Sequence, residues 1–264
     1  MAEITAGPLA AAARALMLAG RWAQAASLLS GAAGSDAGER AVLAVAGAEV
    51  AVDQDFWCRT DRGSSALHRA TAAVADAPGD PELAFDVEFL QLRHDYATEL
   101  FGPDGSPRFG PSGRDGSVTA DLAARADRLR AAAPDRGRGA AATFYAGLIA
   151  DNLRGDGAAA RSAFAAALEA AQDDLTASEA LRHLGYHASE AGDAGQARQM
   201  WERSAELRQR AGAVPYVLSQ QLLLAGLARD GGNPDEARAV AGQVRRWARA
   251  LGVGILEAQA AELS

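Results

Sequence analysis

The chain has 264 residues and a formal net charge of −8, from 26 lysine and arginine residues against 34 aspartate and glutamate residues. All of these cations are arginines, because the sequence contains no lysine. This excludes P-loop NTPases of the usual kind, which hold phosphates with a lysine, and enzymes that form a Schiff base. The single cysteine, Cys58, excludes disulfide frameworks, iron–sulfur clusters and cysteine-rich zinc sites.

The distribution of charge indicates no nucleic-acid partner, because binding to phosphates requires clustered cations. The densest basic positions form short clusters that we interpret as solvated helix ends and faces: Arg136 and Arg138, and Arg245, Arg246 and Arg249. No apolar run approaches the roughly 18 residues of a membrane helix, so we expect no membrane partner. A lone cysteine without a disulfide partner fits a reducing compartment, and we expect a cytoplasmic protein.

Helix-forming residues dominate the chain, and glycine and proline interrupt it at regular points. Alanine, leucine, arginine and glutamate are abundant, and the alternation typical of strands is missing. We therefore predict an all-α fold in a single domain over 1–264. In chain order it comprises a first helical hairpin over 6–33, irregular helices over 37–134, three clearer helical repeats over 141–252 and a capping helix over 253–264.

The segment 81–101 is predicted to be a helix that packs on two sides. Its apolar side chains form two stripes, one containing Val87 and Leu90 and the other Phe89 and Tyr96. Carboxylates lie between the stripes, at Glu88, Asp95 and Glu99. Clustered carboxylates raise one another's pKa and can serve acid/base chemistry, but the solvated edge of a long helix has the same pattern.

The segment 101–117 is rich in glycine and proline and is predicted to be a long loop. A loop of this length inside a compact helical array is either functional or disordered. Because it follows the helix that carries the carboxylates, one interpretation is a lid over a groove, with Arg108 and Phe109 reaching a ligand. The alternative is a mobile surface loop.

Three segments within 141–252 repeat one order of residues: a helix that ends at a glycine, a short polar turn and a second helix that opens near an alanine. The turn glycines are spaced 37 and 40 residues apart, and they are Gly155, Gly192 and Gly232. The alanines keep the same spacing, and they are Ala160, Ala197 and Ala237. Glycine ends a helix by adopting positive φ, and small residues let the second helix approach the first. Because one pair cannot bury its apolar face alone, several must stack.

This pattern resembles the tetratricopeptide repeat. That family places small residues at the helix crossing, then a turn glycine, an alanine and an aromatic residue, an order followed here by Leu184, Gly185, Gly192, Ala197 and Trp201. The stretch around these residues is also similar to uncharacterised actinobacterial members of the family. The resemblance implies a right-handed superhelix of antiparallel helical hairpins.

The resemblance also implies where a ligand binds, because tetratricopeptide superhelices bind in the concave groove lined by the first helix of each pair. Carried over, these positions are Tyr145, Asn152, Glu179, Arg182, Tyr186, Glu190 and Arg229. We add the carboxylates of the 81–101 helix as further candidate groove residues. This mixed polar and aromatic surface suits an extended peptide or a polar small molecule.

Two histidines, His183 and His187, are spaced so that both face one way on a helix, as a two-histidine metal site or an acid/base role requires. Only Glu179 or Glu190 offers a nearby third ligand, and packing or surface roles explain the pair more simply. Cys58 is likewise interpreted as a buried thiol. We therefore expect no metal and no cofactor.

Two hypotheses for function differ in the shape that they require. The first is a non-enzymatic scaffold whose open groove recognises a peptide or a protein partner. The second is a helical enzyme or small-molecule sensor, with a closed pocket where carboxylates and a histidine converge under the 101–117 loop. The sequence favours the scaffold over the enzyme. A third hypothesis is a homodimer that pairs through the second-helix face around Trp201 or Trp247.

Overall fold

The structure, a computed structural model, describes residues 5–77, 79–102 and 105–263. Over these residues the chain is 80% helical, with thirteen α-helices and no strand, which confirms the predicted all-α class. The helices are α1 (Ala6–Leu18), α2 (Trp22–Ser30), α3 (Ala37–Cys58), α4 (Gly63–Ala75), α5 (Pro81–Leu100), α6 (Gly116–Ala132), α7 (Arg136–Leu148), α8 (Gly157–Ala170), α9 (Asp174–Glu190), α10 (Ala194–Arg210), α11 (Val214–Asp230), α12 (Pro234–Leu251) and α13 (Gly254–Glu262).

Aspartate begins many of these helices. The side chain of Asp36 accepts a hydrogen bond from the amide of Glu39 at 2.9 Å, and that of Asp193 accepts one from the amide of Gln196 at 2.9 Å. The same kind of cap begins α5, α6, α7, α8 and α9. A carboxylate at this position satisfies a free amide and interacts favourably with the helix dipole. Part of the acidic charge of the chain therefore serves helix initiation.

Glycine ends the first helix of each repeat. Gly192 has a φ of 83°, and this left-handed turn lets the amide of Asp193 donate to the carbonyl of Ala188 at 2.9 Å. Gly155 and Gly232 also have positive φ. The three hairpins centred on these glycines lie side by side, because α8 packs on α9 and α10 packs on α11.

Helices pack in successive pairs, and close approach within a pair depends on small residues. A Cβ atom at Gly185 would lie 2.6 Å from the ring of Trp201, and one at Gly147 would lie 2.6 Å from the ring of Phe164. The equivalent pair in the next hairpin is Ala225 and Ala241, both buried. The aromatic side chain of the second helix thus occupies the space that a larger residue on the first would need.

One repeat is longer than its neighbour by a single residue. Gly185 precedes its turn glycine, Gly192, by seven residues, whereas Gly147 precedes Gly155 by eight. The extra residue is accommodated in a π-helical turn over Ile149–Leu153, which continues α7. Turns of this kind occur frequently at functional sites. We call this segment the π-turn.

The first and last helices share one hydrophobic core. Met17, Trp22 and Trp57 from α1, α2 and α3 belong to the same cluster as Val244 and Leu256 from α12 and α13. In addition, α13 contacts both α3 and α11. The array therefore closes on itself, and the first helices of successive pairs, together with α13, surround a central space.

The glycine- and proline-rich loop lies between α5 and α6. Its residues Pro103 and Asp104 lie outside the described residues, and the described part of the loop contains an isolated antiparallel bridge between Phe101 and Pro107. Ser264, at the end of the predicted capping segment, also lies outside them, and the rest of that segment contains α13. Among the described helices, none combines the length and apolar character needed to cross a membrane.

Candidate functional site

The central space is a cavity of about 590 Å³, within the range of small-molecule binding sites. Residues of α3, α5, α7, α9, α11 and α13 line it, together with the π-turn and with Pro107 and Phe109 of the 101–117 loop. Most of the lining is apolar, and it includes ten aromatic rings: Phe56, Trp57, Phe89, Tyr96, Phe101, Phe109, Phe144, Tyr145, Tyr186 and Tyr216.

Tyr145 organises one wall of the cavity. Its ring packs edge to face against Phe89, Tyr96 and Phe144, with centroids 5.2, 5.7 and 5.8 Å away. Such edge-to-face packing fixes the orientation of each ring. The wall is therefore a preformed surface of flat apolar groups.

A chain of polar contacts crosses the cavity wall between helices far apart in sequence. Arg93 donates to the hydroxyl of Tyr145 at 3.2 Å and lies 3.9 Å from the carboxylate of Asp53. The hydroxyl of Tyr216 donates to Asp53 at 3.0 Å. Arg208 donates to the carbonyl of Tyr216 at 2.7 Å and to the carboxylate of Glu179. We call these six residues the polar belt.

Burial sets the protonation of the polar belt. It raises the pKa of the hydroxyls of Tyr145 and Tyr216, so both remain protonated at neutral pH. Burial also raises the pKa of the Asp53 carboxyl, while Arg93 and the hydrogen bonds from Trp22 and Tyr216 act in the opposite direction. The indole of Trp22 donates to Asp53 at 2.7 Å, which ties α2 to the belt.

Arg182 differs from Arg93 and Arg208, the two arginines of the polar belt. Arg93 pairs with Asp53 and Arg208 pairs with Glu179, but no carboxylate of the described residues lies within 4.0 Å of the Arg182 guanidinium. Its side chain donates to the amide oxygen of Gln220 at 3.3 Å. Burial, and then the nearby charge of Arg208, lower the pKa of Arg182 to about 10, so it stays charged at neutral pH.

An acidic cluster lines the cavity from the π-turn and the end of α9. Nε2 of His187 lies 3.2 Å from a carboxylate oxygen of Asp151, and Nδ1 of His187 lies 3.7 Å from a carboxylate oxygen of Glu190. Burial raises the pKa of the Asp151 carboxyl, and His187 partly offsets this. The lining thus carries guanidinium groups at Arg59 and Arg182 and carboxyl groups at Asp151 and Glu190.

The 101–117 loop reaches the cavity through Phe109, whose side chain is 67% exposed. The backbone on either side is held, because the amide of Arg108 donates to the carbonyl of Leu100 and the amide of Gly110 to that of Asn152, each at 2.8 Å. Arg114 donates to the carbonyl of Gly110 at 2.9 Å. The part of the loop from Arg108 to Arg114 is thus held beside the cavity, and Phe109 presents its ring to it.

The structure brings most of the sequence-predicted site residues together. Those that line the cavity are Tyr145, Asn152, Glu179, Arg182, His183, Tyr186 and Glu190. His183 stacks on Phe164 with ring centroids 4.8 Å apart, and burial lowers its pKa well below the usual value. It is therefore neutral at physiological pH, a state that suits packing.

Other predicted residues do not line the cavity. Asp95 pairs with Arg125 of α6 at 2.7 Å, and the carboxylate of Glu99 lies 3.7 Å from Arg114. Glu88 and Arg229 are both exposed, and Arg229 pairs with Asp230. The edge of α5 thus faces solvent and α6, as the alternative interpretation of its carboxylates describes.

No metal-binding arrangement is present in the described part of the chain, where no group of three or more histidine, cysteine, aspartate and glutamate residues is placed to hold an ion. His187 does not line the cavity, and it contacts the carboxyl groups of Asp151 and Glu190 from behind them. Cys58 is partly buried, and burial raises the pKa of its thiol, which argues against a reactive thiolate.

Four residues of the polar belt are not predicted from the sequence: Asp53, Arg93, Arg208 and Tyr216. One signal was available, because Asp53 and Arg93 interrupt helical stretches that are otherwise apolar on that face. A charge that is buried at such a position requires a partner.

No protein-family model matches this chain, and comparison with the curated proteins also finds no match. Shape, charge and aromatic lining therefore carry the assignment of the site.

Proposed function

We propose that this chain binds a small molecule in its central cavity. The observation that carries the proposal is the partly open cavity of about 590 Å³, whose mostly apolar walls hold a few fixed polar groups. This combination is the usual character of small-molecule sites. The alternative hypothesis drawn from the sequence is thereby favoured over the peptide scaffold, because α13 contacts both α3 and α11 and the helices surround a deep, partly open cavity.

Binding is favoured over catalysis. An acyl-transfer or hydrolytic site needs a nucleophile within hydrogen-bond reach of a base. Among the described lining residues, the hydroxyls of Thr176 and Ser219 make no hydrogen bond to His183, whose neutral ring is stacked on Phe164. The buried hydrogen bonds of the polar belt hold the wall in one geometry, which suits recognition.

A neutral aromatic probe tests this proposal. N-phenyl-1-naphthylamine is expected to bind once per chain, with a rise and blue shift of its fluorescence. Ala141→Trp and Ala97→Trp, which add bulk to the cavity lining, are expected to abolish this signal. Fluorescence titration with equilibrium dialysis measures affinity and stoichiometry.

The matched control is Ala158→Trp, which adds the same side chain at an exposed position of α8. It is expected to bind the probe like the wild type. The proposal is wrong if the wild type does not bind the probe, or if both cavity-filling variants bind it as the wild type does.

We also propose that the hairpins form a right-handed tetratricopeptide-like superhelix. Supporting features are the left-handed turn glycines and the fully buried second-helix alanines Ala160, Ala197 and Ala237. The close contacts of Gly147 with Phe164 and of Gly185 with Trp201 add to this support.

Two further proposals follow from the sequence. The cytoplasm remains the proposed compartment, on the single cysteine. A homodimer remains a prediction for light scattering, now through Trp247, which is 51% exposed beside a small groove on α11, whereas Trp201 is buried within its own chain.

A further inference from the structure

The charges of the cavity lining are unequally matched. Arg182 and Arg208 lie near one carboxylate, Glu179, and that carboxylate is engaged by Arg208. Arg93 has Asp53, and the carboxyl groups of Asp151 and Glu190 lie beside the imidazole of His187. Among the described lining residues, the guanidiniums of Arg59 and Arg182 both have no carboxylate within 4.0 Å. That of Arg59 lies over the ring of Phe101 and donates to the carbonyl of Phe56, which leaves Arg182 as the candidate anion-binding group.

Hydrogen-bond donors are also in excess at this place. Gln220 offers its amide oxygen to Arg182 and to the hydroxyl of Ser204, both at 3.3 Å, so this acceptor is already shared. Nε of Arg208 is buried and has no acceptor. Buried donors and buried charges are costly without partners, so the wall is suited to a group that brings negative charge and several lone pairs.

The other lining residues indicate the character of the part of the ligand that does not contact Arg182. The aromatic wall around Tyr145 favours a flat apolar body. Asp151 and Glu190 line another part of the cavity, and they oppose a second negative charge on the same molecule.

We propose that the cavity binds an organic monoanion with an aromatic or similarly flat apolar body, and that Arg182 holds its carboxylate or sulfonate group. This inference rests on the proposed function and adds the chemical class of the ligand. The guanidinium offers two parallel N–H donors to a planar or tetrahedral oxyanion, and such charge-assisted pairs are stronger than neutral hydrogen bonds. The aromatic body is held between rings that the edge-to-face packing already fixes.

Two probes that share one ring system test the inference. 1-Anilinonaphthalene-8-sulfonate carries a single sulfonate, and N-phenyl-1-naphthylamine is the same ring system without it. Arg182→Met removes the charge and keeps the alkyl stem. We expect this variant to lose about tenfold or more in affinity for the sulfonate, the loss that follows from one charge-assisted hydrogen bond. Its affinity for the neutral probe is expected to stay unchanged, which also reports that the cavity is folded.

Two control variants sharpen the result. Arg229→Met removes an exposed arginine outside the cavity lining and is expected to change neither affinity. Arg182→Lys keeps a cation but loses the two parallel donors, and it is expected to lose less affinity for the sulfonate than Arg182→Met does. Naphthalene-1,5-disulfonate is expected to displace the bound sulfonate probe less well than naphthalene-1-sulfonate does.

The outcomes separate this inference from the proposed function. If the neutral probe binds in the cavity but Arg182→Met leaves the affinity for the sulfonate unchanged, the anion assignment is wrong and the small-molecule site stands. An equal loss of sulfonate affinity in the lysine and methionine variants also contradicts recognition by charge. If neither probe binds the wild type, both proposals are wrong.

Discussion

The burial of His183 in the cavity wall makes the stability of the protein depend on pH. Its ring lies against Phe164 and near Phe144, with centroids 4.8 and 5.6 Å away, so most of its water is replaced by aromatic carbon. The nearby positive charges of Arg182 and Arg208 oppose protonation further. The folded protein therefore keeps this imidazole neutral over a wider pH range than the unfolded chain does.

This difference predicts a pH dependence of stability. Because the folded pKa of His183 is lowered, its contribution to stability is fully present above the unfolded value of about 6.5 and is lost as the pH falls below it. At one pH unit below that value the loss amounts to about 1.4 kcal/mol. His183→Gln is expected to reduce the difference in unfolding free energy between pH 7.5 and 5.5 by this amount, as measured by urea denaturation.

The exposed His68 provides the control, because His68→Gln is expected to leave that pH difference as in the wild type. A His183→Gln protein with the wild-type pH difference would contradict burial as the origin of the effect.

Residues of the site differ in how far they could be predicted. Tyr145, Glu179, Arg182 and Tyr186 were predictable, because the resemblance to the tetratricopeptide repeat implies that these positions of the first helices face the groove. The partnership of Asp53 with Tyr216 was not, because these residues are 163 positions apart and meet only when the array closes. Periodicity describes one helix at a time and contains no information about that closure.

At the scale of the helical pair, Gly185 and Trp201 determine how closely α9 and α10 pack. The indole nitrogen of Trp201 donates to the carbonyl of Arg182 at 2.9 Å, so the ring is held across the first helix. A Cβ atom at Gly185 would lie 2.6 Å from this ring. Close packing of α9 on α10 thus positions the helix that carries Arg182.

We therefore predict that Gly185→Ala destabilises the protein by about 1–3 kcal/mol through overpacking. Gly226 is a matched control, since it also lies within a helix and a Cβ atom there would have no neighbour within 4 Å. Gly226→Ala is expected to stabilise by about 0.5–1 kcal/mol, because alanine favours the helix. Thermal and urea denaturation measure both changes, and effects of the same sign would contradict the steric explanation.

At the scale of the whole molecule, closure distinguishes this chain from an open array. Open repeat arrays unfold from their ends because each unit contacts only its neighbours. Here Trp22 and Leu256 belong to one core, so neither end is free. The all-α class and the turn glycines were predictable from local patterns, but closure depends on contacts between the first and last quarters of the sequence.

Because the array is closed, we predict that a destabilising substitution in the last helix also destabilises the first helices. Leu256→Ala, at a buried position of α13, is expected to lower the free energy of unfolding by about 2–5 kcal/mol. It is also expected to speed amide hydrogen exchange in α1 and α2 as well as in α11 and α12. Leu129 of α6 belongs to a separate hydrophobic cluster formed by residues of α5 to α9, and Leu129→Ala is expected to affect first the helices around α6 and α7. Unchanged exchange in α1 and α2 of the Leu256→Ala protein would contradict energetic closure.

The single additional residue of the π-turn has a consequence for how this cavity can be changed. One residue of an α-helix corresponds to about 100° of rotation. Excision of Ala150 would restore the register of the neighbouring hairpin and swing Asp151 and Asn152 relative to the rest of α7. Deletion of this one residue would therefore change which side chains face the cavity at one wall, while the hairpins remain stacked. This position is thus suited to redesign of the ligand preference.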